Sequence, residues 1–306
     1  MEATFLVNPV AGRGKGLKVW RQLEHELRQK KVRYRVLYTE YSGAATDLAR
    51  QLVNQGCSRL VVVGGDGTLQ EVVNGLALDQ VLLGVIPSGT GNDFARSIGI
   101  PGEPSAALGV AMNGHEKRLD LGMIDGRYFL NLAGIGFDAQ VAKEVNDNFK
   151  LLGGTTAYLA AVFKVLITYR NQPLRVEMGG QTWEGKALFA AIGNGQYVGG
   201  GMRVVPQAQL DDGLLHLCIA GDVGKLDTLA TLPKIFSGAH TRHPLVYQAA
   251  AKEVTVVSPV PVPVHVDGEL MGTTPATFRI VAKVLRFAAA GAGVYSADCN
   301  WPKNSL

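Results

Sequence analysis

The sequence has few cysteines and no long apolar run. Its 306 residues contain three cysteines, Cys57, Cys218 and Cys299, at wide spacings. This spacing excludes a disulfide framework and a CxxC metal or redox motif and fits a reducing cytosol. No apolar stretch reaches the roughly 18 to 20 residues of a membrane-spanning helix. The first residues lack the basic start and cleavage site of a signal peptide, so we expect a cytoplasmic protein with peripheral contact at the inner membrane surface.

Charge is also sparse. Charged residues make up 18% of the chain and hydrophobic residues 47%, which is typical of a packed globular protein and not of a disordered one. The net charge of +4 is too small to indicate a nucleic-acid partner, although it permits weak attraction to anionic surfaces. The length is sufficient for two domains of about 150 residues each.

The first 120 residues alternate between short β-rich runs and segments with helical periodicity. The runs LVVV and VLLGVI are apolar throughout, as expected of parallel strands that are buried on both faces. We therefore predict an α/β domain with a largely parallel sheet over residues 1–120. The pattern predicts strands at 3–7, 33–38, 60–63 and 82–86 and helices at 17–31, 44–55 and 69–76.

From about residue 121 the pattern changes to many short β-like runs, which predict a mostly antiparallel β domain over residues 121–290. Helical spacing returns only at 156–169 and near 226–236. The segment SPVPVPVH has proline at alternate positions, and proline donates no ladder hydrogen bond. We therefore predict an edge strand or an extended linker there. Residues 291–306 are predicted to form a C-terminal tail.

Three glycine-rich loops follow predicted strands of the first domain. They are NPVAGRGKG after the first strand, VVVGGDGTLQEVVNG after the third and PSGTGNDFAR after the fourth. Ligands bind at the carboxyl ends of parallel strands, and glycines let backbone amides approach a phosphate closely. Neither a Walker loop nor a GxGxxG fingerprint is present, so the pattern indicates a phosphate cradle of another kind. The alternative is three unrelated surface turns with helix caps.

Together with LDLG, DDGLL and VDGE further along, these motifs resemble the diacylglycerol kinase catalytic-domain family, and the layout is most similar to its small soluble bacterial lipid kinases. Six motifs in the same order, between residues 3 and 290, carry the resemblance. It implies a Rossmann-like, NAD kinase-like α/β nucleotide-binding domain and a C-terminal, mostly antiparallel β-sandwich domain. It also implies ATP and Mg²⁺ as cofactors.

The resemblance implies a role for specific residues. Asp66 would lie near the phosphates with the catalytic magnesium, and Asp120 would link the structural metal to the active site. Glu269 would accept the proton of the lipid hydroxyl, although its DGE motif alone indicates only a hairpin turn. The implied ligands of a structural magnesium are the carboxylate of Asp212 and the carbonyls of Gln209 and Leu214. The implied ATP contacts are Asn8, Pro9, Val10, Ala11, Gly12, Thr39, Gly65, Asp66, Gly67, Thr68, Leu69, Gln70, Glu71 and Thr90.

The function that these residues imply is ATP- and magnesium-dependent phosphorylation of a lipid hydroxyl, with diacylglycerol as the first expectation. Phosphatidylglycerol, a sphingoid base, ceramide and a polyprenol remain alternatives, followed by NAD kinase and a non-catalytic lipid sensor. Gln70 departs from the family pattern, which usually has asparagine there. The apolar helix 156–169 is either a core helix or part of a mouth for acyl chains. We expect a homodimer, and basic residues that favour anionic lipids, namely Lys143, Lys150, Lys164 and Arg170.

Overall fold

The computed structural model describes residues 3–149 and 154–291, and these residues form two compact units. The first unit contains the described residues up to Leu119 together with those from Lys283 onward, and the second contains Asp120–Ala282. This division differs from the predicted second domain of 121–290, because the end of the chain packs with the first unit. Residues 292–306 of the predicted tail and Lys150 lie outside the described residues.

The first unit is a parallel sheet with helices. Its strands occur in the order β2-β1-β3-β4, and all neighbouring pairs are parallel. The helical span α1 is interrupted at residues 12–14, which have positive φ angles. The elements are β1 (Ala3–Val7), α1 (Ala11–Gln29), β2 (Tyr34–Tyr38), α2 (Ala44–Asn54), β3 (Arg59–Gly64), α3 (Asp66–Val73), β4 (Leu82–Pro87), α4 (Asp93–Ser97) and α5 (Pro104–Asn113).

The second unit contains two antiparallel sheets. One has the order β12-β11-β10-β7-β14-β15, and in the other β13 pairs with β16 and β8, and β8 pairs with β9. The elements that follow α5 are β5 (His115–Ile124), β6 (Arg127–Phe129), β7 (Leu132–Gly136), α6 (Phe137–Glu144), a π-helical turn (Val145–Phe149), α7 (Gly154–Thr168), β8 (Gln172–Met178), β9 (Gln181–Ala187), β10 (Phe189–Gly193), β11 (Leu215–Ala220), α8 (Lys225–Thr231), 3-10 helices (Leu232–Phe236 and Ala239–Arg242), β12 (Val246–Ala251), β13 (Glu253–Val257), β14 (Pro263–Val266), β15 (Glu269–Thr273) and β16 (Ala276–Ala289).

The core of the second unit is shared by its two sheets. Ile135 and Ile192 of one sheet and Val176 and Val254 of the other are fully buried in the same apolar cluster. Side chains of alternating strand residues therefore fill the space between the sheets, as they do in a β-sandwich. The predicted fold class, an α/β domain followed by an antiparallel β-sandwich domain, is confirmed.

Several predicted elements need correction. The third helix begins at Asp66, three residues before the predicted start, because the strand passes directly into it. The prediction that SPVPVPVH is not part of a central strand is wrong for its second half, because β14 lies between β7 and β15. Pro263 is the first residue of that strand, where proline is tolerated, and the two other prolines precede it.

Helix α7 spans most of the predicted apolar helix. Ala161, Val162 and Val165 are buried, whereas Phe163 and Ile167 are 53% and 73% exposed. The helix therefore packs one face into the second unit and presents large apolar side chains on the other. Within residues 3–149 and 154–291, no helix combines the length and the hydropathy that crossing a bilayer requires.

Candidate active site

The three glycine-rich loops of the first unit meet at one edge of its sheet. The amide of Asn8, after β1, donates to the Val63 carbonyl at 3.0 Å, and the amide of Ser88, after β4, donates to the Gly64 carbonyl at 2.9 Å. The side-chain Nδ2 of Asn8 donates to Thr68 Oγ1 at 2.9 Å. The loops therefore converge, as their positions after parallel strands predict.

Glycine is required where these loops touch. A Cβ atom on Gly65 would lie 2.8 Å from Gly89 Cα, and one on Gly12 would lie 2.3 Å from the Ser88 carbonyl oxygen. Gly12 also has a φ of 55°, in the left-handed region that favours glycine. A Cβ on Gly67, by contrast, would meet nothing within 4 Å. The loops thus pack backbone against backbone, and open space remains beside Gly67.

Asp66 joins two of these loops. It is the first residue of α3, and its Oδ1 accepts a hydrogen bond from the Phe94 amide at 3.0 Å, in the first turn of α4. Asn92 closes the same loop, because its Oδ1 accepts from the Gly89 amide at 2.8 Å and its Nδ2 donates to the Gly89 carbonyl at 3.0 Å. The Asp66 carboxylate therefore has a fixed position next to the loop contacts.

The other predicted ATP contacts of this unit differ in burial and in the partners of their side chains. Thr39 follows β2, and its amide donates to the Val7 carbonyl at 3.0 Å, so it lies at the same sheet edge. Thr90 is exposed, whereas Leu69 and Gln70 are buried. The carboxylate of Glu71 accepts from two amides at the start of α2, at 2.9 and 3.2 Å. The Glu71 side chain therefore caps a helix instead of facing the loops.

In the second unit, Glu269 follows a tightly held turn. Asp267 and Gly268, with φ angles of 46° and 88°, form the two-residue connection between β14 and β15, as the DG pair predicts. The Asp267 carboxylate accepts hydrogen bonds from the consecutive amides of residues 130–132 at 2.8, 3.0 and 3.0 Å. The turn that carries Glu269 is therefore anchored by a charged group to the segment between β6 and β7.

The carboxylate of Glu269 is paired with a cation. Its Oε2 forms a salt bridge with Nη2 of Arg127, which lies in β6, 142 residues earlier in the chain. The Glu269 side chain is 50% exposed and that of Arg127 is 34% exposed, so the pair remains open to solvent. No sequence motif indicates Arg127, because the pairing depends on the fold.

Asp120 organises the loop that contains the predicted metal ligands. Its side chain is fully buried, and its Oδ2 accepts from the Gly213 amide at 2.6 Å. The neighbouring carboxylate of Asp212 accepts from the Leu214 amide at 3.0 Å and lies 2.7 Å from His216 Nε2. No sequence motif indicates His216 as a partner of Asp212.

Asn194, a residue that the sequence motifs do not single out, connects this loop to the turn of Glu269. Its side-chain amide is fully buried and donates to the carbonyls of Asp120 at 3.1 Å and Leu130 at 2.8 Å. Because the Leu130 amide in turn donates to Asp267, hydrogen bonds run from Asp120 to the base of the turn. The second unit thus links Asp120 to the turn of Glu269 through the side chains of Asn194 and Asp267 and the backbone of Leu130.

The donor chemistry of the Asp212 loop fits magnesium. A carboxylate and backbone carbonyls supply oxygen ligands, which Mg²⁺ prefers, and water completes such sites. The Oδ1 atoms of Asn131 and Asn194 are buried and have no hydrogen-bond partner among the described residues. Such atoms are commonly satisfied by ordered water. The described part of the chain contains no cluster of three or more His, Cys, Asp or Glu residues suited to a metal ion.

The second unit also contains an apolar cavity of about 70 Å³. Asp138 and His240 are among its few polar lining residues. Burial lowers the pKa of His240, although a hydrogen bond to the Val204 carbonyl opposes this shift, so the ring is uncharged near neutral pH. The apolar lining includes Val162, Leu188, Phe189, Val204, Ile235 and Val246.

Comparisons with known proteins agree with this architecture. The diacylglycerol kinase catalytic domain matches residues 2–124, and the YegS C-terminal NAD kinase beta sandwich-like domain matches residues 131–289. Diacylglycerol kinases from Staphylococcus aureus strains bovine RF122 / ET3-1 and JH9 are each 38% identical to this chain over 247 residues. These residues are 78% of this chain and 77% of theirs.

Solved structures give the same result. A provisionally named diacylglycerol kinase from Bacillus anthracis str. Sterne superposes with a TM-score of 0.78 at 26% identity, covering 94% of this chain and 95% of that one. A second structure from the same organism gives a TM-score of 0.77 at 27% identity, covering 95% and 99%. The chain therefore belongs to the diacylglycerol kinase catalytic-domain family of lipid kinases.

Proposed function

We propose that this protein is an ATP- and magnesium-dependent lipid kinase that converts diacylglycerol to phosphatidic acid. The observation that carries the proposal is the anchored turn of Glu269, in a chain whose other unit brings three glycine loops together. The names of the Staphylococcus aureus relatives support diacylglycerol as the substrate. ATP supplies the phosphoryl group, as the family implies.

The chain's residues fit the needs of phosphoryl transfer, which are mainly positioning and stabilisation of charge. In this proposal the loops that meet at Gly12 and Gly65 present backbone amides to phosphate oxygens, and the Phe94 amide holds Asp66 beside them. Glu269 accepts the proton that the lipid hydroxyl loses when its oxygen is phosphorylated. Its partly exposed salt bridge with Arg127 places a cation beside the carboxylate.

Magnesium enters the proposal in two places. Asp66 would hold it near the phosphates, where the cation offsets negative charge. Asp212, with the carbonyls of Gln209 and Leu214, would hold a structural ion, and Asp120 would connect this loop to Glu269 through Asn194.

The structural ion can be tested by metal removal. EDTA should lower the melting temperature of the wild-type protein and of Asp211→Ala but not that of Asp212→Ala, because a structural metal contributes to folding. Differential scanning fluorimetry gives these temperatures. An unchanged wild-type melting temperature in EDTA would remove the structural ion from the proposal.

The apolar cavity, at about 70 Å³, is well below the roughly 300 to 1,000 Å³ of most ligand pockets, so it does not by itself hold an acyl chain. Its lining is almost entirely apolar, with Val162 contributed by α7 and Thr228 by α8. The outer sides of the same helices expose large apolar side chains, including Ile167 at 73% and Leu226 at 83%. The Lys225 ammonium donates to the Ile167 carbonyl, so the two helices are adjacent. We define Phe163, Ile167, Leu226 and Leu229 as the α7–α8 surface.

The proposed partner of the α7–α8 surface is the surface of a phospholipid bilayer. Exposed apolar patches of this kind are uncommon on monomeric proteins and mark interaction sites. Three exposed basic residues lie in or next to these elements in the chain, and they favour anionic lipids: Arg170 shortly after α7, Lys225 at the start of α8 and Lys234 in the 3-10 helix that follows α8. Ile167→Ser/Leu226→Ser should reduce sedimentation with phosphatidylglycerol vesicles, and Val260→Ser, at an exposed valine elsewhere in the unit, should not. Equal sedimentation of all three proteins would exclude this surface.

Transfer of labelled γ-phosphate identifies the substrate. Wild-type protein, ATP and magnesium are incubated in mixed micelles with diacylglycerol, phosphatidylglycerol, ceramide, sphingosine or undecaprenol, and separately with soluble NAD. We expect label in diacylglycerol. Label in another lipid would change the substrate within the family, and label in NAD would identify an NAD kinase. ATP binding without label in any acceptor would favour a lipid sensor.

A further inference from the structure

A buried histidine and aspartate lie behind the turn that carries Glu269. His265 is 1% exposed and Asp138 is 6% exposed, and His265 Nε2 lies 2.8 Å from Asp138 Oδ2. The other ring nitrogen, Nδ1, accepts a hydrogen bond from the Gly268 amide at 3.2 Å. Because a backbone amide only donates, Nδ1 must carry the lone pair and Nε2 the proton. The ring therefore donates to Asp138 and accepts from the turn.

The sheet provides room for this pair. Gly134 of β7 is the register partner of His265 in β14. A Cβ atom on Gly134 would lie 2.2 Å from both His265 Nε2 and Asp138 Oδ2. Glycine at position 134 therefore leaves the space in which the histidine and the aspartate meet.

A contribution to the stability of the fold does not by itself explain a buried His265–Asp138 pair. Buried ionisable pairs often contribute less to stability than apolar residues of similar volume, because both groups lose water. The neighbouring positions of β14, Val264 and Val266, are apolar and buried. A buried histidine between two apolar residues of β14, paired with Asp138 of α6, indicates a role in holding another group in place, and that group is the Gly268 amide next to Glu269.

We infer that His265 is a positioning residue for Glu269, oriented by Asp138 and acting through the Gly268 amide. Asp267 fixes the turn through the amides of residues 130–132. His265 fixes Gly268, the residue that follows Asp267. Two successive anchors restrict the rotation of the turn and hence the place of the Glu269 carboxylate. The inference rests on the proposed function, in which Glu269 is the base that accepts the proton of the lipid hydroxyl.

The test compares two substitutions of His265. Leucine keeps the volume and loses both hydrogen bonds, whereas one glutamine side chain can accept from Gly268 and donate to Asp138. His265→Leu should lower kcat for diacylglycerol by roughly 10- to 100-fold, because a misplaced catalytic group costs about that much. The KM for ATP should stay unchanged, and His265→Gln should recover most of the lost kcat.

A second readout does not depend on activity. Hydrogen exchange at the Gly268 amide should be faster in His265→Leu and near wild type in His265→Gln. Val254→Ala, in the core of the same unit, should lower the melting temperature and leave kcat unchanged. Wild-type exchange at Gly268 in His265→Leu, or equal kcat losses in both His265 variants, would overturn the inference. A wild-type protein that phosphorylates no lipid would instead refute the proposed function, and the exchange comparison would still test the contact.

Discussion

The sheet edge of the first unit, where the three glycine-rich loops meet, and the Glu269 turn of the second unit are built in different ways. In the first unit, glycines at positions 12, 65 and 89 bring three loops into contact, and each loop directly follows a strand. In the second, side chains of Asp267 and Asn194 hold the turn through partners that are 64 to 137 residues away in the chain. The edge of the first unit thus depends mainly on close backbone contacts between glycine loops, whereas the place of one carboxylate in the second unit depends on hydrogen bonds from side chains.

The largest expected effect lies in the second unit. Glu269→Gln should lower turnover by roughly 10² to 10⁴-fold, because the proton of the lipid hydroxyl loses its acceptor. ATP affinity, measured by calorimetry, should stay at the wild-type value, because the glycine loops are unchanged. Glu253→Gln is the matched control, since Glu253 also forms a half-exposed salt bridge, with Arg279. Turnover of Glu269→Gln within twofold of wild type would show that another group accepts the proton.

The anchor of the turn should have the next largest effect. Asp267→Asn keeps a residue that tolerates positive φ but places an NH₂ group where a carboxylate oxygen accepts from residues 130–132. We expect turnover to fall by roughly 10- to 100-fold through displacement of Glu269. Asp125→Asn, in the similar Asp-Gly turn between β5 and β6, should have wild-type turnover. Equal turnover of both variants would mean that the anchor does not matter.

A substitution in the glycine loops of the first unit should weaken ATP binding and leave Glu269 unaffected. Gly65→Ala forces the Gly65 and Gly89 loops apart, since the new Cβ would lie 2.8 Å from Gly89 Cα. We expect an affinity loss of roughly fivefold, equivalent to about 1 kcal/mol of overpacking. Gly109→Ala, where a Cβ meets nothing within 4 Å, should bind ATP normally. Unchanged affinity in Gly65→Ala would show that the loops contact no phosphate.

The smallest effect concerns pH. Burial lowers the pKa of His240, so the unfolded chain takes up a proton more readily than the folded one. Stability is therefore complete above the ordinary histidine pKa of about 6.5 and decreases as the pH falls below it. His240→Gln should reduce the loss of melting temperature between pH 7.5 and 5.5 by roughly 1 to 3 °C. An identical loss in both proteins would assign the acid sensitivity to other groups.

The sequence predicts the first unit better than the second. The four parallel strands and the convergence of the glycine loops follow from local patterns, such as an apolar run that ends in Gly64 and Gly65. Helices α4 and α5 were not predicted, because their short, small-residue segments have weak periodicity. The prediction for β14 was wrong because the alternating prolines of SPVPVPVH indicate an edge strand or a linker. The strand instead pairs with β7 on one side and β15 on the other.

In the second unit, the VDGE motif indicates Glu269 as the candidate proton acceptor. It does not indicate the residues that hold Glu269 in place. Asp267 belongs to the same DGE motif, yet its acceptor role appears only when β6 and β7 bring residues 130–132 beside it. Arg127, Asn194 and His265 lie in no motif, because their partners come from distant segments. Such contacts are set by register and packing, which one sequence does not reveal.

The most direct test of the claim that Asp267 acts through Glu269 is the turnover of Asp267→Asn/Glu269→Gln beside both single variants. If the turn serves only to position the base, the double variant should have the same turnover as Glu269→Gln alone, because no positioned carboxylate remains to be displaced. If the two losses multiply instead, Asp267 supports the reaction independently of Glu269, and the account of the second unit is contradicted.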